Sequence, residues 1–226
     1  RTAEMCKLME NTYRDVNIAL ANELAVLSEK IGINAWDVIR LANKHPRVNL
    51  HQPGPGVGGH CIAVDPWFVI EGQSEGKLIR QARERNDGMP EYVHKTIKRL
   101  VEGLENPKLA ILGVTYKPDV DDTRESPIMK LVSSLIDEGT IEVRIHDPHA
   151  DDKIFKYLHL KKESVIEAAR DADMIVLAVN HSEYKELDFE EIGEAMRNKL
   201  IYDTRNFLDI PGLEVQGYRV QVLGRG

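Results

Sequence analysis

Asn106-Pro107-Lys108-Leu109-Ala110-Ile111-Leu112-Gly113-Val114 is the stretch where the apolar pattern of this chain changes period. After it, short apolar runs at 108–114, 141–146, 173–179 and 199–203 alternate with helical stretches around 126–138, 162–171 and 188–198, and Arg219 to Leu223 offers a further strand. Such alternation predicts a parallel sheet with crossover helices, so residues 107–226 read as a doubly wound, Rossmann-like α/β domain. Before it, residues 1–106 read as all-helical, and the boundary is set near Pro107.

In the helical part, a projection at about 100° per residue places Cys6, Met9, Tyr13, Val16, Leu20, Leu24, Leu27 and Ile31 on one side of a long helix over 3–31. Lys7, Asn11, Arg14, Asp15 and Asn22 share another side, and Gly32 ends the helix. Asn34 reads as the N-cap of a second helix running to Ala42. A Pro/Gly-rich loop follows from Pro46 to Pro66. Ser74 is expected to cap a further helix, interrupted at Gly88-Met89-Pro90 and resumed through Leu104.

Composition narrows the function. The 226 residues are 42% hydrophobic and 30% charged, with a formal net charge of −7. Residues 1–106 hold 14 basic and 14 acidic side chains against 16 and 23 in 107–226, so neither half carries the net positive charge of a nucleic-acid binder. No apolar run reaches the roughly 18 residues of a membrane span, and the start has no signal pattern, so a cytoplasmic location is expected. Cys6 and Cys61 are too few for a disulfide framework and form no C-x-x-C pair. The eight histidines lack ligand spacing, and no metal site is expected. The chain starts at Arg1 and enters a helical pattern at once, which suggests that an upstream part is missing.

Pro53-Gly54-Pro55-Gly56-Val57-Gly58-Gly59-His60-Cys61 contains G-x-G-x-x-G at Gly54, Gly56 and Gly59. A dinucleotide fingerprint needs a strand before it and a helix opening from it, and this context offers neither. The glycines instead suit a loop whose backbone N–H groups approach a ligand. Cys61 at its end reads in two ways. Taken alone it is more often a buried small hydrophobe; as an accessible thiol near positive charge or donors it is a nucleophile. Cys6 reads as a packed thiol on the apolar side of its helix. Lys7 and Asn11, at i and i+4 with Arg14 beyond, are either a solvated face or an ammonium and an amide placed to stabilise an oxyanion. Ser126 is expected to cap a helix beginning at Pro127. The loop before it lies at the carboxyl end of the first strand, where open α/β sheets bind ligands. It carries Tyr116, Lys117 and Arg124, and Arg205 follows the fourth strand. These cations suit a nucleotide diphosphate or are plain solvated charges.

Together these segments resemble the UDP-glucose/GDP-mannose dehydrogenase family over essentially the whole chain. The likeness runs from Ala3-Glu4-Met5-Cys6-Lys7-Leu8-Met9-Glu10-Asn11 through His45-Pro46-Arg47-Val48 and the loop Pro53–Pro66 to Lys117, Thr123-Arg124-Glu125-Ser126-Pro127 and Asp203-Thr204-Arg205. The loop looks most like that of the branch oxidising UDP-N-acetyl-D-mannosamine. The resemblance implies two successive NAD-dependent oxidations of a sugar C6 alcohol, with Cys61 capturing the aldehyde and passing through a thioester. It implies that Lys7 and Asn11 stabilise the oxyanion and that Asp65 activates or positions water. Arg14, His45, Arg47, Gly58, Tyr116, Lys117 and Arg205 match positions that hold the nucleotide sugar, and Arg124 one that reaches NAD. It further implies a homodimer through the first long helix, with Arg47 acting across the interface. The departure is the family's amino-terminal NAD-binding domain, which the sequence lacks, so the chain alone is expected to bind NAD poorly and to be inactive. The rival expectation is a non-catalytic nucleotide-sugar-binding dimerisation module.

Overall fold

A computed structural model describes residues 1–153 and 155–226, which fold as two compact units. The first comprises Arg1–Met89 with Leu223–Gly226, and the second Pro90–Val222.

In the first unit the helices are α1 (Thr2–Ile31), α2 (Ala35–Ala42), α3 (Asp65–Ile70) and α4 (Lys77–Asp87). Gly32 ends α1 in the left-handed conformation at φ 75°, and the Asn34 side chain caps α2 by accepting from the Trp36 N–H. Two expectations are corrected. A helix does follow the glycine loop, because Pro66 sits in the first turn of α3, where its missing N–H costs nothing. And α4 begins at Lys77 with Gly76, not Ser74, at its N-cap.

The larger correction concerns α1. The side of this helix that packs on α3 and α4 is small and polar: Asn11, Thr12, Asp15, Ala19, Asn22, Ala25 and Ser28 are buried. Met9, Tyr13, Leu20, Leu27 and Ile31 of the apolar side are exposed, and so is Cys6, which was expected to be packed. Small residues allow close approach of the helices, and most of the polar ones find partners, Asn11 in Asp65 of α3, Thr12 in the Leu8 carbonyl of its own helix, and Asp15 and Asn22 in Arg83 and Asn86 of α4, so the burial of this face does not require apolar side chains.

The last four residues return to the first unit. Gly224 N–H donates to Glu29 Oε1, Ala35 N–H to the Gly224 carbonyl, Gly226 N–H to the Ile33 carbonyl, and Trp36 Nε1 to the Leu223 carbonyl.

In the second unit, α5 (Met89–Leu100) leads into the sheet, and its buried Val93, Ile97 and His94 belong to that unit's interior. His94 Nδ1 and Nε2 meet Ser134 Oγ and Glu138 Oε2 of α6 (Pro127–Glu138), both at 2.9 Å. The compact unit therefore starts one helix before the change of period at Pro107, which marks the first strand.

Among the described residues five strands form one parallel sheet: β1 (Lys108–Leu112), β2 (Glu142–His146), β3 (Met174–Leu177), β4 (Leu200–Asp203) and β5 (Arg219–Val222), in the order β2-β1-β3-β4-β5. Leu109 stands opposite Val143 on one side and Met174 on the other. α7 (Val165–Ala169), α8 (Phe189–Ala195) and α9 (Ile210–Val215) occupy the remaining crossovers. β1, β3 and β4 are buried along nearly their whole length, as central strands covered on both faces must be. Ser126 caps α6 by accepting from the Ile128 N–H, with Pro127 in the first turn. The chain leaves β1 toward β2 and later continues on the other side of β1 as β3, so the carboxyl ends of β1 and β3 form a topological switch point.

Candidate functional site

The glycine loop ends in a turn that carries its thiol outward. Cys61 is exposed, and its carbonyl accepts the N–H groups of Val64 and Asp65 at 3.1 and 2.8 Å, closing the turn that starts α3. Gly56 and Gly59 have φ of 136° and 89°, conformations that L side chains rarely adopt. Asp65, the first residue of α3, meets Asn11 of α1, whose Nδ2 donates to its Oδ2 at 2.6 Å. The structure thus brings together Asn11 and Asp65, 54 positions apart, four residues beyond the thiol. Lys7, one turn before Asn11, pairs with Glu10 at 3.0 Å on the surface. Such an exposed pair contributes well under about 1 kcal/mol and leaves the ammonium free to exchange partners.

A buried polar network beneath this loop escapes sequence reasoning. Asn22 Oδ1 accepts the Gly54 N–H at 2.9 Å, and Asn22 Nδ2 donates to Asn86 Oδ1 at 2.8 Å. Asn86 Nδ2 donates to Asp15 Oδ1 at 2.8 Å, and Asp15 is ion-paired with Arg83, both fully buried. Burial pushes the Asp15 carboxyl up, more than the charge and hydrogen bond of Arg83 pull it down. The sole signal in the sequence is that Asn11, Asp15 and Asn22 share a helix side; the partners on α4 lie some 70 residues away.

The other residues of the first unit that the resemblance assigns to the nucleotide sugar are placed separately. His45 Nδ1 accepts the Arg47 N–H at 3.3 Å in the turn after α2, where both side chains are exposed. Gly58 is half-buried in the glycine loop and Arg14 is exposed on α1. Burial, and then the charge of Arg14, lowers the pKa of His51.

In the second unit, the loops at the carboxyl edge are organised around Asp147, at the end of β2. Its Oδ2 accepts the N–H groups of Val114 and Thr115, and its Oδ1 those of His149 and Ala150. Burial alone would raise this carboxyl, but the His181 hydrogen bond and the backbone donors outweigh it and hold it at about 2. Thr115 Oγ1 donates to the Lys117 carbonyl at 2.9 Å, and Lys117 Nζ lies 5.5 Å from the Tyr116 ring centroid. This fixed carboxylate therefore shapes the loop that presents Tyr116 and Lys117.

Gly113, with φ of 86°, lets that loop leave β1 against Val179: a Cβ there would come within 2.4 Å of the Val179 Cβ. Arg205 follows β4 and donates from Nε to the Ala178 carbonyl at 3.0 Å. Burial lowers its pKa to about 10 while Asp203 opposes the shift, so the guanidinium remains charged at neutral pH. Arg124 is held in a two-pronged pair by Asp122, Nε to Oδ1 and Nη2 to Oδ2, each 2.9 Å.

Residues 1–88 match the UDP-glucose/GDP-mannose dehydrogenase family, central domain, and residues 110–210 match the same family's UDP binding domain. The UDP-N-acetyl-D-mannosamine dehydrogenase of Methanocaldococcus jannaschii is 55% identical across 100% of this chain and 52% of its own length. That of Methanococcus vannielii is 49% identical over the same shares. Among solved structures, the UDP-N-acetyl-D-mannosamine dehydrogenase of Pyrococcus horikoshii superposes with a TM-score of 0.88 at 41% identity, covering 100% of this chain and 52% of that one. The NDP-N-acetyl-D-galactosaminuronic acid dehydrogenase of Methanosarcina mazei gives 0.87 at 28% identity, covering 99% and 51%. The chain spans about half the length of the relatives it matches. It belongs to the UDP-glucose/GDP-mannose dehydrogenase family, of which it carries the central and UDP-binding domains.

Proposed function

We propose that this chain supplies the covalent-catalytic and nucleotide-sugar-binding parts of an NAD-dependent UDP-sugar 6-dehydrogenase that converts the C6 alcohol of a UDP-N-acetylhexosamine, UDP-N-acetyl-D-mannosamine by preference, to the uronic acid. The observation that carries this reading is the Asn11–Asp65 hydrogen bond on the turn that presents the exposed Cys61 thiol. Family membership and the relatives' activity support the reaction class.

The residues described here do not suit NAD. Among the described residues no strand precedes the Gly54–Gly59 run, α3 is six residues long, and Arg124, the one side chain that the resemblance directs to the cofactor, is an exposed group that makes no cofactor site by itself. The hydride acceptor is therefore assigned to protein outside these two domains. The chain's own share of the chemistry is nucleophilic. The Cys61 thiolate adds to the C6 aldehyde, forming a C–S bond and placing negative charge on the former carbonyl oxygen. Lys7 and the second N–H of the Asn11 amide donate to that oxygen. After the second oxidation, water attacks the resulting thioester, Asp65 orients the water and accepts its proton, and the C–S bond breaks to release the carboxylate and return the thiol. Asp65 suits this task because one oxygen is held by Asn11 and the other is left for water.

Lys117 and Arg205 are assigned to the diphosphate, Tyr116, Arg14, His45 and the Gly58 backbone to the rest of the nucleotide sugar. The exposed apolar side of α1 is assigned to a homodimer interface, across which Arg47 reaches the partner's site. In the protein that joins these domains to an NAD-binding one, Cys61→Ser should abolish net uronic acid formation while UDP-sugar binding is retained. Acid formation at the wild-type rate would refute the thioester route. Binding without NADH production by the unaltered protein, tried with several sugar nucleotides, would leave the non-catalytic binding module as the correct reading.

A further inference from the structure

His149 and His181 share no sequence spacing with each other or with a carboxylate that would suggest ligation, yet the sheet brings them together. The loops after β1, β2 and β3, three adjacent strands, contribute Asp119, His149, and the pair His181 and Glu183. One ligand atom from each of these four residues lies within 4.8 Å of all the others. His149 Nε2 is 2.9 Å from Glu183 Oε1 and 3.9 Å from Asp119 Oδ1, and His181 Nδ1 is 3.8 Å from Asp119 Oδ1. Ligands about 2.0–2.1 Å from a tetrahedral zinc ion stand about 3.3 Å from one another, and the three measured separations bracket that edge.

The orientation of the groups favours a common third atom over a bond between them. His149 Nε2 is buried and makes no well-aligned hydrogen bond, although a carboxylate oxygen lies 2.9 Å away. His181 Nε2 faces Asp147 Oδ2 at 3.2 Å, which leaves Nδ1 as the unprotonated nitrogen; it accepts the Asp119 N–H at 3.0 Å. A carboxylate behind one ring nitrogen with the other turned into the cluster is the support that metal-bound imidazoles commonly have. Asp119 is also held in place, its two oxygens accepting Ser182 N–H and Oγ–H at 2.8 and 2.7 Å.

We propose that Asp119, His149, His181 and Glu183 form a binding site for a divalent transition-metal ion of the zinc class, which ties together the loops following β1, β2 and β3. Two imidazoles and two carboxylates select zinc, cobalt or nickel over magnesium and calcium, which prefer all-oxygen sites. The ion takes the Nδ1 lone pair of His181 in exchange for the Asp119 N–H bond. Because Asp119 stands two residues after Lys117, the bound ion stiffens the loop that presents that lysine.

The test uses the full chain with both thiols removed (Cys6→Ser, Cys61→Ser), stripped with a chelator and titrated with zinc chloride by calorimetry, with thermal unfolding followed in parallel. One ion per chain is expected, together with a rise in Tm that excess magnesium does not reproduce. His149→Ala and Glu183→Gln, each checked by circular dichroism, should weaken binding at least about 10-fold, and His159→Ala, an exposed control, should not. No stoichiometric binding, or binding indifferent to both substitutions, overturns the proposal. So does an NMR titration in which Glu183→Gln shifts the His149 protonation midpoint while zinc leaves the ring signals unmoved, since that result describes an ion-pair network alone. None of these outcomes bears on the chemistry assigned to Cys61.

Discussion

Asn11 Nδ2 stands 2.6 Å from Asp65 Oδ2, so an amide on the long first helix and a carboxylate on the first turn of α3 act as one group. Neither is free to turn without the other. Asn11→Ala removes the restraint on Asp65 and, under the proposed mechanism, one donor to the oxyanion. In the protein that joins these domains to an NAD-binding one, that mechanism requires kcat to fall by about 10²-fold or more, the usual loss for one such donor. KM for the UDP-sugar should change only a few-fold. A steady-state assay of NADH production checks both numbers, and an unchanged kcat would remove Asn11 from the chemistry.

Arg83→Met leaves Asp15 buried without its cation. Breaking a buried pair in this way should cost about 3–5 kcal/mol, to be read at pH 7 by urea unfolding; a loss under about 1 kcal/mol would show that the pair is not needed. The direction with pH follows from Asp15. Its folded pKa is already raised by burial, and losing Arg83 raises it further. The contribution of such a group is fully present below its unfolded value and lost as pH rises through its folded value, so the deficit of the variant should shrink on acidification.

Asp173, just before β3, holds the amino edge of the sheet: it accepts from Lys108 N–H, Asn198 Nδ2 and both Nε and Nη2 of Arg197. Burial works against its ionisation, but these donors prevail and its pKa is lowered. The stability it contributes is present above the unfolded value near about 3.9 and is lost as pH falls through the lower folded value. Asp173→Asn should therefore flatten the loss of stability below pH 4, as read by denaturant midpoints from pH 5 to pH 2.5. A variant with the wild-type acid limb would show that Asp173 does not govern it.

Leu20→Glu and Leu27→Glu place charges on the exposed apolar side of α1, at residues 54% and 49% exposed in the single chain. If that side is the homodimer interface, either change should reduce the mass seen by light scattering toward one chain with the helical circular dichroism intact. A mass unaffected by both substitutions would place the interface elsewhere.

The sheet was legible because each strand is a short apolar run bounded by turn residues, and tertiary packing follows directly from such runs. Both cap residues, Asn34 and Ser126, were legible for the same local reason. The burial of α1 was not. An amphipathic projection says which side is apolar, and the side that α1 buries within the chain is the polar one, closed by Asn86 and Arg83 from a helix some 70 residues downstream. Pro66 is ambiguous in sequence, since proline ends a loop as readily as it suits the first turn of a helix, where the fold places it. No sequence spacing joins His149 and His181, which meet through strand adjacency that no local window contains. Of the site itself, Asn11 and Asp65 were named from the resemblance, but their mutual bond and the anchoring of Gly54 by Asn22 come from the fold alone.

The return of Leu223–Gly226 to the first unit bears on how the molecule is made. Glu29 accepts from a backbone donor 195 positions later, and the α1–α2 turn receives its strap from the residues that follow β5. During synthesis these helices precede the sheet, yet the strap that closes their unit follows it. Contacts of such long range are slow to close and are made late. The surface that presents Cys61 is thus made before the sheet and braced after it, and a chain stopped short of Leu223 would carry the thiol on a unit whose helical turn had never been fastened.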